Sequence, residues 1–138
     1  MKFAPLVVLS LSTFLFACSN DTNAEIAISA IKLQDLQYEW QLISIDNNSI
    51  ETDSNLTVDD QAKATGNLAC NNFFGSLELQ KNKLRIGKMG STRKMCEPEV
   101  NDIEMTVSST LSNWSEAQIS NQKLTITGDK HTLIYSIK

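Results

Sequence analysis

Two cysteines near the middle of the chain, Cys70 and Cys96, are the residues whose types and spacing most readily suggest chemistry. Such a pair can form a disulfide, remain as two buried thiols, or supply a nucleophile. The spacing is not that of a C-x-x-C redox motif, and a thiol nucleophile would need the chain's single histidine, His131, beside it. We favour the disulfide, which would stabilise the fold by about 3–4 kcal/mol in the chain-entropy model.

The other reactive side chains give weaker indications of a site. His131 falls in a predicted hairpin turn, where a solvated role is expected. Asp59 and Asp60 are adjacent and would point to opposite faces of a strand, so a turn cap is preferred over a catalytic pair. Residues 91–94, Ser-Thr-Arg-Lys, have the groups to hold an anion, although loop capping is the simpler interpretation. We therefore predict no catalytic residues, no metal ligands and no cofactor.

The N-terminus indicates export and lipid attachment. Lys2 precedes an apolar run over residues 3–16, and Ala17 then precedes Cys18, which predicts a signal peptide over residues 1–17. The segment "LFAC" resembles the bacterial lipobox. That resemblance implies cleavage before Cys18, diacylation of its thiol and acylation of the new amine, with chains such as palmitate. The alternative is an ordinary signal peptide that leaves a free thiol.

Lipidation of Cys18 would determine where the protein lies. Several buried acyl chains, at about 0.8 kcal/mol for each CH₂, make an effectively permanent membrane anchor. Ser19 after the cysteine is similar to the sorting pattern of outer-membrane lipoproteins, which predicts a bacterial cell envelope location facing the periplasm. Residues 18–35 would then carry the lipid and act as a tether. An exported compartment is oxidising, which supports the Cys70–Cys96 disulfide.

The composition is that of one small acidic domain. The chain has 138 residues and a formal net charge of −4, and removal of Lys2 with the signal peptide would make it one unit more negative. About 100 residues after the tether suffice for a single hydrophobic core. The chain has no basic patch, so we expect no nucleic-acid partner.

Hydrophobic periodicity predicts an α+β fold that is predominantly antiparallel sheet. Pro98 begins a predicted helix over about 98–112, where apolar residues recur at helical spacing. Elsewhere the period is two, and turn signals separate the strands. The predicted extended segments are 38–45, 55–58, 63–80 with a bend at its asparagines, 84–89, 123–127 and 132–138.

Several of these residues together resemble the META domain, as found in HslJ-type envelope proteins. The quoted segments are "ACNNFFGSLEL", "MGSTRKMC" and the final "KLTIT…TLIYSI". The motif residues are Cys70, Asn71, Phe74, Gly75, Thr92, Arg93 and Cys96. The resemblance covers residues 36–138. Ala69 stands where the family usually has glycine, which suggests that this backbone position needs no positive φ.

The resemblance implies a small, strongly curved, partly open barrel-like sheet closed by one helix. It implies no catalytic activity, and it implies a stress-linked or virulence-linked envelope module. Fold alone would not establish function in any case.

Aromatic side chains are the candidate contact residues. The contact candidates are Phe73, Trp40 and Trp114. A small apolar cavity could be lined by Trp40, Phe73, Phe74, Trp114 and Tyr135, although core packing is the usual role of such residues. Phe73 and Phe74 are adjacent, so one of them should lie in a bulge or be exposed.

Two functions remain from the sequence. The first is a lipid-anchored, non-catalytic binding or scaffolding module that is linked to envelope stress and whose partner is an unknown envelope protein or a small hydrophobic ligand. The second is an envelope hydrolase. The acidic composition and the single turn histidine favour the first.

Overall fold

Nine β-strands and one α-helix follow each other in residues 29–138, the part of the chain that the computed structural model describes. The predicted signal peptide over 1–17 and the lipidated Cys18 lie outside the described residues. The predicted tether, 18–35, is described only from residue 29 onward. Within it, Ile31 and Leu33 pack against the core, and Leu33–Leu36 form one turn of 3-10 helix.

The strands form a single antiparallel sheet. Their bounds are β1 Glu39–Ile45, β2 Asn48–Ser49, β3 Asn55–Val58, β4 Lys63–Asn67, β5 Asn72–Gln80, β6 Lys83–Ser91, β7 Ser115–Ser120, β8 Lys123–Thr127 and β9 Thr132–Ile137. The helix α1 spans Pro98–Ser112 between β6 and β7. The predicted α+β class with one main helix is therefore confirmed.

The sheet closes on itself as an eight-stranded barrel. Strands β3 to β9 pair in chain order, β3 also pairs with β1, and β1 pairs with β9 from Trp40–Ile137 to Ile45–Leu133. The short β2 only extends β1 as a hairpin. The sequence predicted a partly open barrel. The barrel is closed, and its shortest strand pairing is between β6 and β7, which share two residue pairs, Lys83–Glu116 and Leu84–Ser115.

Turn chemistry explains where the strands reverse. Asp46 and Asn47 have φ of 51° and 64°, which is the left-handed pair that a two-residue hairpin with the native twist requires. Asp59 accepts N–H bonds from Gln61 and Lys63 through Oδ1, at 3.0 and 2.8 Å, and so caps its turn as predicted.

Helix α1 begins as the sequence indicates and packs on one side of the barrel. Pro98 occupies its first turn, where the missing N–H has no intrahelical partner to lose. The helix lies against β6 and β9 and buries Val107, Thr110 and Leu111. Within residues 29–138, no helix has the length and apolarity needed to cross a bilayer.

One contiguous cluster of apolar side chains fills the barrel, because alternate residues of each strand point inward. The strand β1 shows the pattern, with buried Trp40, Leu42 and Ser44 between more exposed neighbours. The largest fully buried side chains are Trp40, Tyr135, Leu36, Leu42, Leu56, Leu68, Leu84, Ile86, Leu111, Leu124, Ile126 and Leu133.

Tyr135 carries a polar atom into this core. Its ring is fully buried, and its hydroxyl has no hydrogen-bond partner among the described residues. Burial raises the pKa of the Tyr135 hydroxyl well above its ordinary value, so the group stays neutral. Burying an unpaired hydroxyl is unfavourable, so Tyr135 stabilises the barrel through its ring.

Replacing Tyr135 by phenylalanine keeps the ring and removes the hydroxyl. We expect the free energy of unfolding of Tyr135→Phe to stay the same or rise by up to about 1 kcal/mol. Urea denaturation measures this, and Tyr38→Phe, at a half-exposed ring, is the matched control that should change nothing. A loss above about 1 kcal/mol in Tyr135→Phe would show that the hydroxyl is hydrogen-bonded in the folded protein.

Candidate functional site

The loop between β4 and β5, residues 68–71, is the best-connected polar feature outside the strands. Asn67 and Asn72 face each other at its base, and the Asn67 amide donates to Asn72 Oδ1 at 3.1 Å. Leu68 is buried and its N–H donates to the carbonyl of Asn71 at 2.8 Å. The loop therefore forms a tight turn between β4 and β5 in which the Asn71 side chain is buried.

Asn71 is buried, with 4% of its surface exposed, and its side-chain amide both donates and accepts hydrogen bonds. Its Oδ1 accepts from Thr92 Oγ1 at 2.9 Å and from the N–H of Lys94 at 2.6 Å. Its Nδ2 donates to Glu104 Oε1 at 2.8 Å. One side chain thus joins the β4–β5 loop, the segment after β6 and helix α1.

Glu104, on α1, completes this arrangement from the helix side. Its Oε2 accepts the backbone N–H of Cys70 at 3.2 Å and of Asn71 at 2.7 Å. With the bond from Asn71 Nδ2, the carboxylate accepts three N–H donors of one loop. Charged acceptors form stronger hydrogen bonds than neutral ones, so Glu104 fixes the helix against the loop.

A disulfide joins the same two segments. Cys70 and Cys96 are bonded, with their Cα atoms 6.2 Å apart. Cys96 lies two residues before α1, and Glu104 lies within α1. The disulfide and the Asn71–Glu104 bonds therefore attach the loop to two points of the segment that begins at Cys96 and continues into the helix. We call Cys70, Asn71, Thr92, Cys96 and Glu104 the loop–helix corner.

The remaining motif residues have separate positions. Thr92 also accepts the N–H of Asn72 at 3.1 Å, which is the loop capping expected for residues 91–94. Arg93 is exposed and makes no ion pair with any described residue. Gly75 faces inward against Ile86, where a Cβ would collide with that side chain, so only glycine fits.

Phe73 and Phe74 point to opposite faces of β5, as the alternation of side chains along a strand requires. Phe73 is buried, whereas Phe74 is 58% exposed and its ring lies over Gly90 of β6. The bulge lies in β6, where an extra residue falls between the partners of Phe74 and Ser76 and Lys88 has φ of 52°. The exposed member of the pair is therefore Phe74.

Two of the three predicted contact aromatics do not lie on the surface and pack in the core, the alternative that the sequence favoured. Trp40 and Phe73 have 0% and 3% of their surface exposed, because their strands turn these positions into the barrel. Trp40 is used in the core, where its Nε1 donates to the carbonyl of Leu36 at 3.0 Å. Trp114 is half-buried under Arg85, whose guanidinium carbon lies 4.8 Å from the ring centroid.

The expectation for Ala69 is also wrong. Its φ is 155°, in the range that glycine adopts more readily than other residues. The hydrogen bond from the N–H of Ala69 to Asn67 Oδ1, at 2.9 Å, and the bond from the N–H of Cys70 to Glu104 hold the loop in this conformation.

His131 lies against a carboxylate, which the sequence did not predict. Its Nδ1 is 2.7 Å from Asp46 Oδ2, and Asp46 Oδ1 accepts the N–H of Thr132 at 2.8 Å. His131 also lines a shallow pocket of about 180 Å³ with Ser109 and Ser115. Both serine hydroxyls donate to backbone carbonyls, at 3.1 and 2.8 Å, so neither is directed to the imidazole as a nucleophile would be.

A larger groove of about 560 Å³ lies at the end of the barrel where the described chain begins. Its apolar lining includes Ile31, Tyr38, Ile119 and Ile137. Tyr38 is half-exposed and packs edge-on against Trp40. The groove is open to solvent rather than enclosed in the barrel.

Glu104 is the site residue that sequence reasoning missed. A signal was present, since Glu104 interrupts the stripe of Val100, Ile103 and Val107 that predicts the buried face of α1. An acidic residue beside an apolar stripe needs a hydrogen-bond partner when the helix packs. The partners are donors of a loop more than 30 residues earlier, so the sequence alone does not identify them.

Loss of the Glu104 carboxylate should destabilise the corner even with the disulfide intact. Glu104→Ala leaves three N–H donors of the loop without their acceptor, and we expect the free energy of unfolding to fall by about 2–4 kcal/mol. Glu104→Gln, which keeps an amide oxygen, should lose roughly half of that. Asp102→Ala, exposed on the same helix, is the control and should stay within about 0.5 kcal/mol. Urea denaturation under oxidising conditions compares the four proteins, and equal stability of Glu104→Ala and Asp102→Ala would contradict the assignment.

The Asp46–His131 pair should make stability depend on pH in the acidic range. The hydrogen bond from His131, followed by that from the N–H of Thr132, lowers the pKa of Asp46 below 3.8. A lowered folded-state pKa stabilises the fold above pH 3.8, and this contribution is lost as the pH falls through the lowered pKa.

We therefore expect Asp46→Asn to lower Tm at neutral pH, with the deficit shrinking below pH 3.8. Thermal unfolding at neutral and strongly acidic pH measures this. Asp129→Asn, in the turn beside His131, is the control and should leave Tm unchanged. A deficit in Asp46→Asn that is equal at both pH values would contradict the pairing.

Comparisons with known proteins agree on one family. The family model of the META domain matches residues 32–138. The chain is 28% identical over 140 residues to the heat shock protein HslJ of Escherichia coli K12, covering 99% of this chain and 95% of that protein.

Solved structures show the same fold. One NMR structure superposes with a TM-score of 0.69 at 23% identity, covering 78% of this chain and 95% of the other. An NMR structure of a protein from Burkholderia xenovorans gives a TM-score of 0.62 at 24% identity, covering 77% and 86%. The match over most of the chain, together with the barrel and its single helix, establishes that this protein belongs to the META domain family.

Proposed function

We propose that this META domain protein is a lipid-anchored, non-catalytic binding module of the bacterial cell envelope, held at the outer membrane and facing the periplasm. The anchor rests on the signal peptide over 1–17 and the lipobox-like segment ending at Cys18. Its partner is another envelope protein. A role in envelope stress is supported by the name of its E. coli relative, a heat shock protein.

The observation that carries a binding role is the position of Phe74. Its ring is 58% exposed on the outside of the barrel, although the strand that bears it is paired on both sides. Gly90 beneath it leaves room for the ring to lie flat, and a side chain there would collide with it. An exposed aromatic on a rigid strand loses little conformational entropy when it is covered, which suits a protein contact.

The filled barrel favours an external contact over an internal ligand. The side chains that point into the barrel form one buried cluster, so a ligand would have to displace core residues such as Trp40 or Tyr135. The polar groups of the loop–helix corner are also committed, since Asn71 and Glu104 bond to each other and to the loop. Binding therefore takes place on the outer surface.

The geometry around His131 supports a non-catalytic role. The imidazole has Asp46 as an orienting carboxylate, but the hydroxyls of Ser109 and Ser115 in the same pocket donate to backbone carbonyls. A hydrolase would need a nucleophile within hydrogen-bond reach of the imidazole. The pair instead connects the β1–β2 turn to β9, which is a structural role.

A hydrophobic ligand is the second candidate, and the groove beside Tyr38 favours it. About 560 Å³ lies within the usual range for small-molecule pockets, and apolar side chains that include Ile31, Ile119 and Ile137 line the groove. Its position where the described chain begins would place it on the side of the domain toward a lipid anchor.

Photocrosslinking in intact cells tests both candidates. A photoreactive phenylalanine analogue at position 74 should capture an envelope protein, whereas the same analogue at Ser76, exposed on the same strand, should capture little of it. The analogue at position 38 tests the groove. A lipid-sized adduct there, with no protein captured at position 74, would replace the protein partner by a hydrophobic ligand.

A Cys18→Ala form in which an ordinary cleavable signal peptide replaces residues 1–17 provides the control for the anchor, because lipobox cleavage would not remove residues 1–17 once Cys18 is replaced. We expect it to be released from the membrane fraction and to lose the crosslinked partner at position 74. Retention of both the membrane location and the crosslink in Cys18→Ala would contradict the lipid anchor.

A further inference from the structure

The loop–helix corner also contains three side chains that bind metal ions in other proteins. Among residues 29–138, one ligand atom each from Cys70, Cys96 and Glu104 lie within 4.8 Å of one another. All three residues are half-buried. Two thiolates and a carboxylate are ligands that Zn²⁺ accepts in a tetrahedral site. In the oxidised protein the sulfurs are bonded to each other and are not free to ligate.

The Glu104 carboxylate has a lone pair left for a metal ion in spite of its three hydrogen bonds. An ionised carboxylate offers about four lone-pair sites, and Glu104 uses three of them for the N–H donors of Cys70, Asn71 and the Asn71 side chain. These donors also hold the carboxylate beside the two sulfurs. Such supporting hydrogen bonds are what orients the ligands of protein metal sites.

The hydrogen bonds of the corner are independent of the bond between the sulfurs. Asn71 connects to Thr92, Lys94 and Glu104 through its own amide, so the three segments stay joined when the disulfide opens. The Asn71 Nδ2 also lies 3.8 Å from Cys96 Sγ, where it can donate to a thiolate. The cysteines therefore remain neighbours after reduction.

We propose that reduction of the Cys70–Cys96 disulfide creates a zinc site formed by Cys70, Cys96 and Glu104, with water as the fourth ligand. A dithiol reductant supplies two electrons and two protons, is itself oxidised to a disulfide, and leaves two thiols on this chain. Zn²⁺ then binds both sulfurs and releases two protons. The proposal does not depend on the anchor or on a partner at Phe74.

The geometry and charge of the corner suit this ion. Two Zn–S bonds of about 2.3 Å at a tetrahedral angle place the sulfurs roughly 3.8 Å apart, which rotation of two side chains can reach from a Cα separation of 6.2 Å. Two thiolates and one carboxylate exceed the charge of Zn²⁺ by one. Arg93 and Lys94, exposed and three and two residues before Cys96, offset that excess. Residues 91–95 are exposed, so an ion can reach Cys96 from solvent.

Zinc and cobalt titration of the untagged full chain with Cys18→Ser tests the proposal, because only Cys70 and Cys96 then supply thiols. After reduction and removal of the reductant without oxygen, we expect one Zn²⁺ to bind with Kd below about 1 μM, and the oxidised protein to bind at least 100-fold more weakly. Co²⁺ should give the sulfur-to-metal absorption of a two-thiolate site. Binding should also raise the Tm of the reduced protein.

Variants separate this site from adventitious binding. Cys70→Ser and Cys96→Ser should each abolish the cobalt absorption, and Glu104→Gln should weaken Zn²⁺ binding at least about tenfold. Glu97→Gln, next to Cys96 but outside the cluster, should bind as tightly as the parent. Equal zinc affinity of the oxidised and reduced proteins, or retained affinity in both serine variants, would overturn the proposal. If the reduced chain unfolds without metal, zinc must restore its far-ultraviolet circular dichroism, and failure to do so would overturn it as well.

Discussion

The Glu104 carboxylate is the interaction on which the arrangement of barrel and helix depends. It reaches from α1 to the β4–β5 loop and accepts the N–H groups of Cys70 and Asn71 together with the Asn71 side-chain amide. Without it, three donors of one short loop would lose their acceptor, which is unfavourable in a half-buried position. The disulfide adds a covalent link between the same segments, but Asn71 and Glu104 determine how the loop faces the helix.

This corner explains why the family motif is structural. Asn71 can be buried because its amide bonds to the segment after β6 and to α1. Thr92 lies beside it, accepts the N–H of Asn72 and donates to Asn71 Oδ1. The barrel interior is filled with apolar side chains, so the polar motif residues hold the outside of the barrel to the helix rather than surround a ligand. The surface that we propose for a partner is the outer face of the sheet, where Phe74 is exposed.

The sequence predicted the elements better than it predicted the contacts between them. Pro98 and the apolar stripe after it indicated α1 over the residues that the structure shows, and alternation indicated that one of Phe73 and Phe74 faces outward. Closure of the barrel was not predictable, because the β1–β9 pairing joins residues almost 100 positions apart. The Asp46–His131 pair and the Glu104 bonds were missed for the same reason, since local periodicity carries no information on which distant loop meets a given side chain.

Amide hydrogen exchange at Asn71 tests most directly whether Glu104, rather than the disulfide, holds the loop. Exchange should be measured in the oxidised protein, in the reduced protein and in oxidised Glu104→Ala. Because the Asn71 N–H donates to Glu104 at 2.7 Å, we expect a larger acceleration of exchange in Glu104→Ala than on reduction. A larger acceleration on reduction, with little change in Glu104→Ala, would show that the disulfide, and not Glu104, holds the loop against the helix.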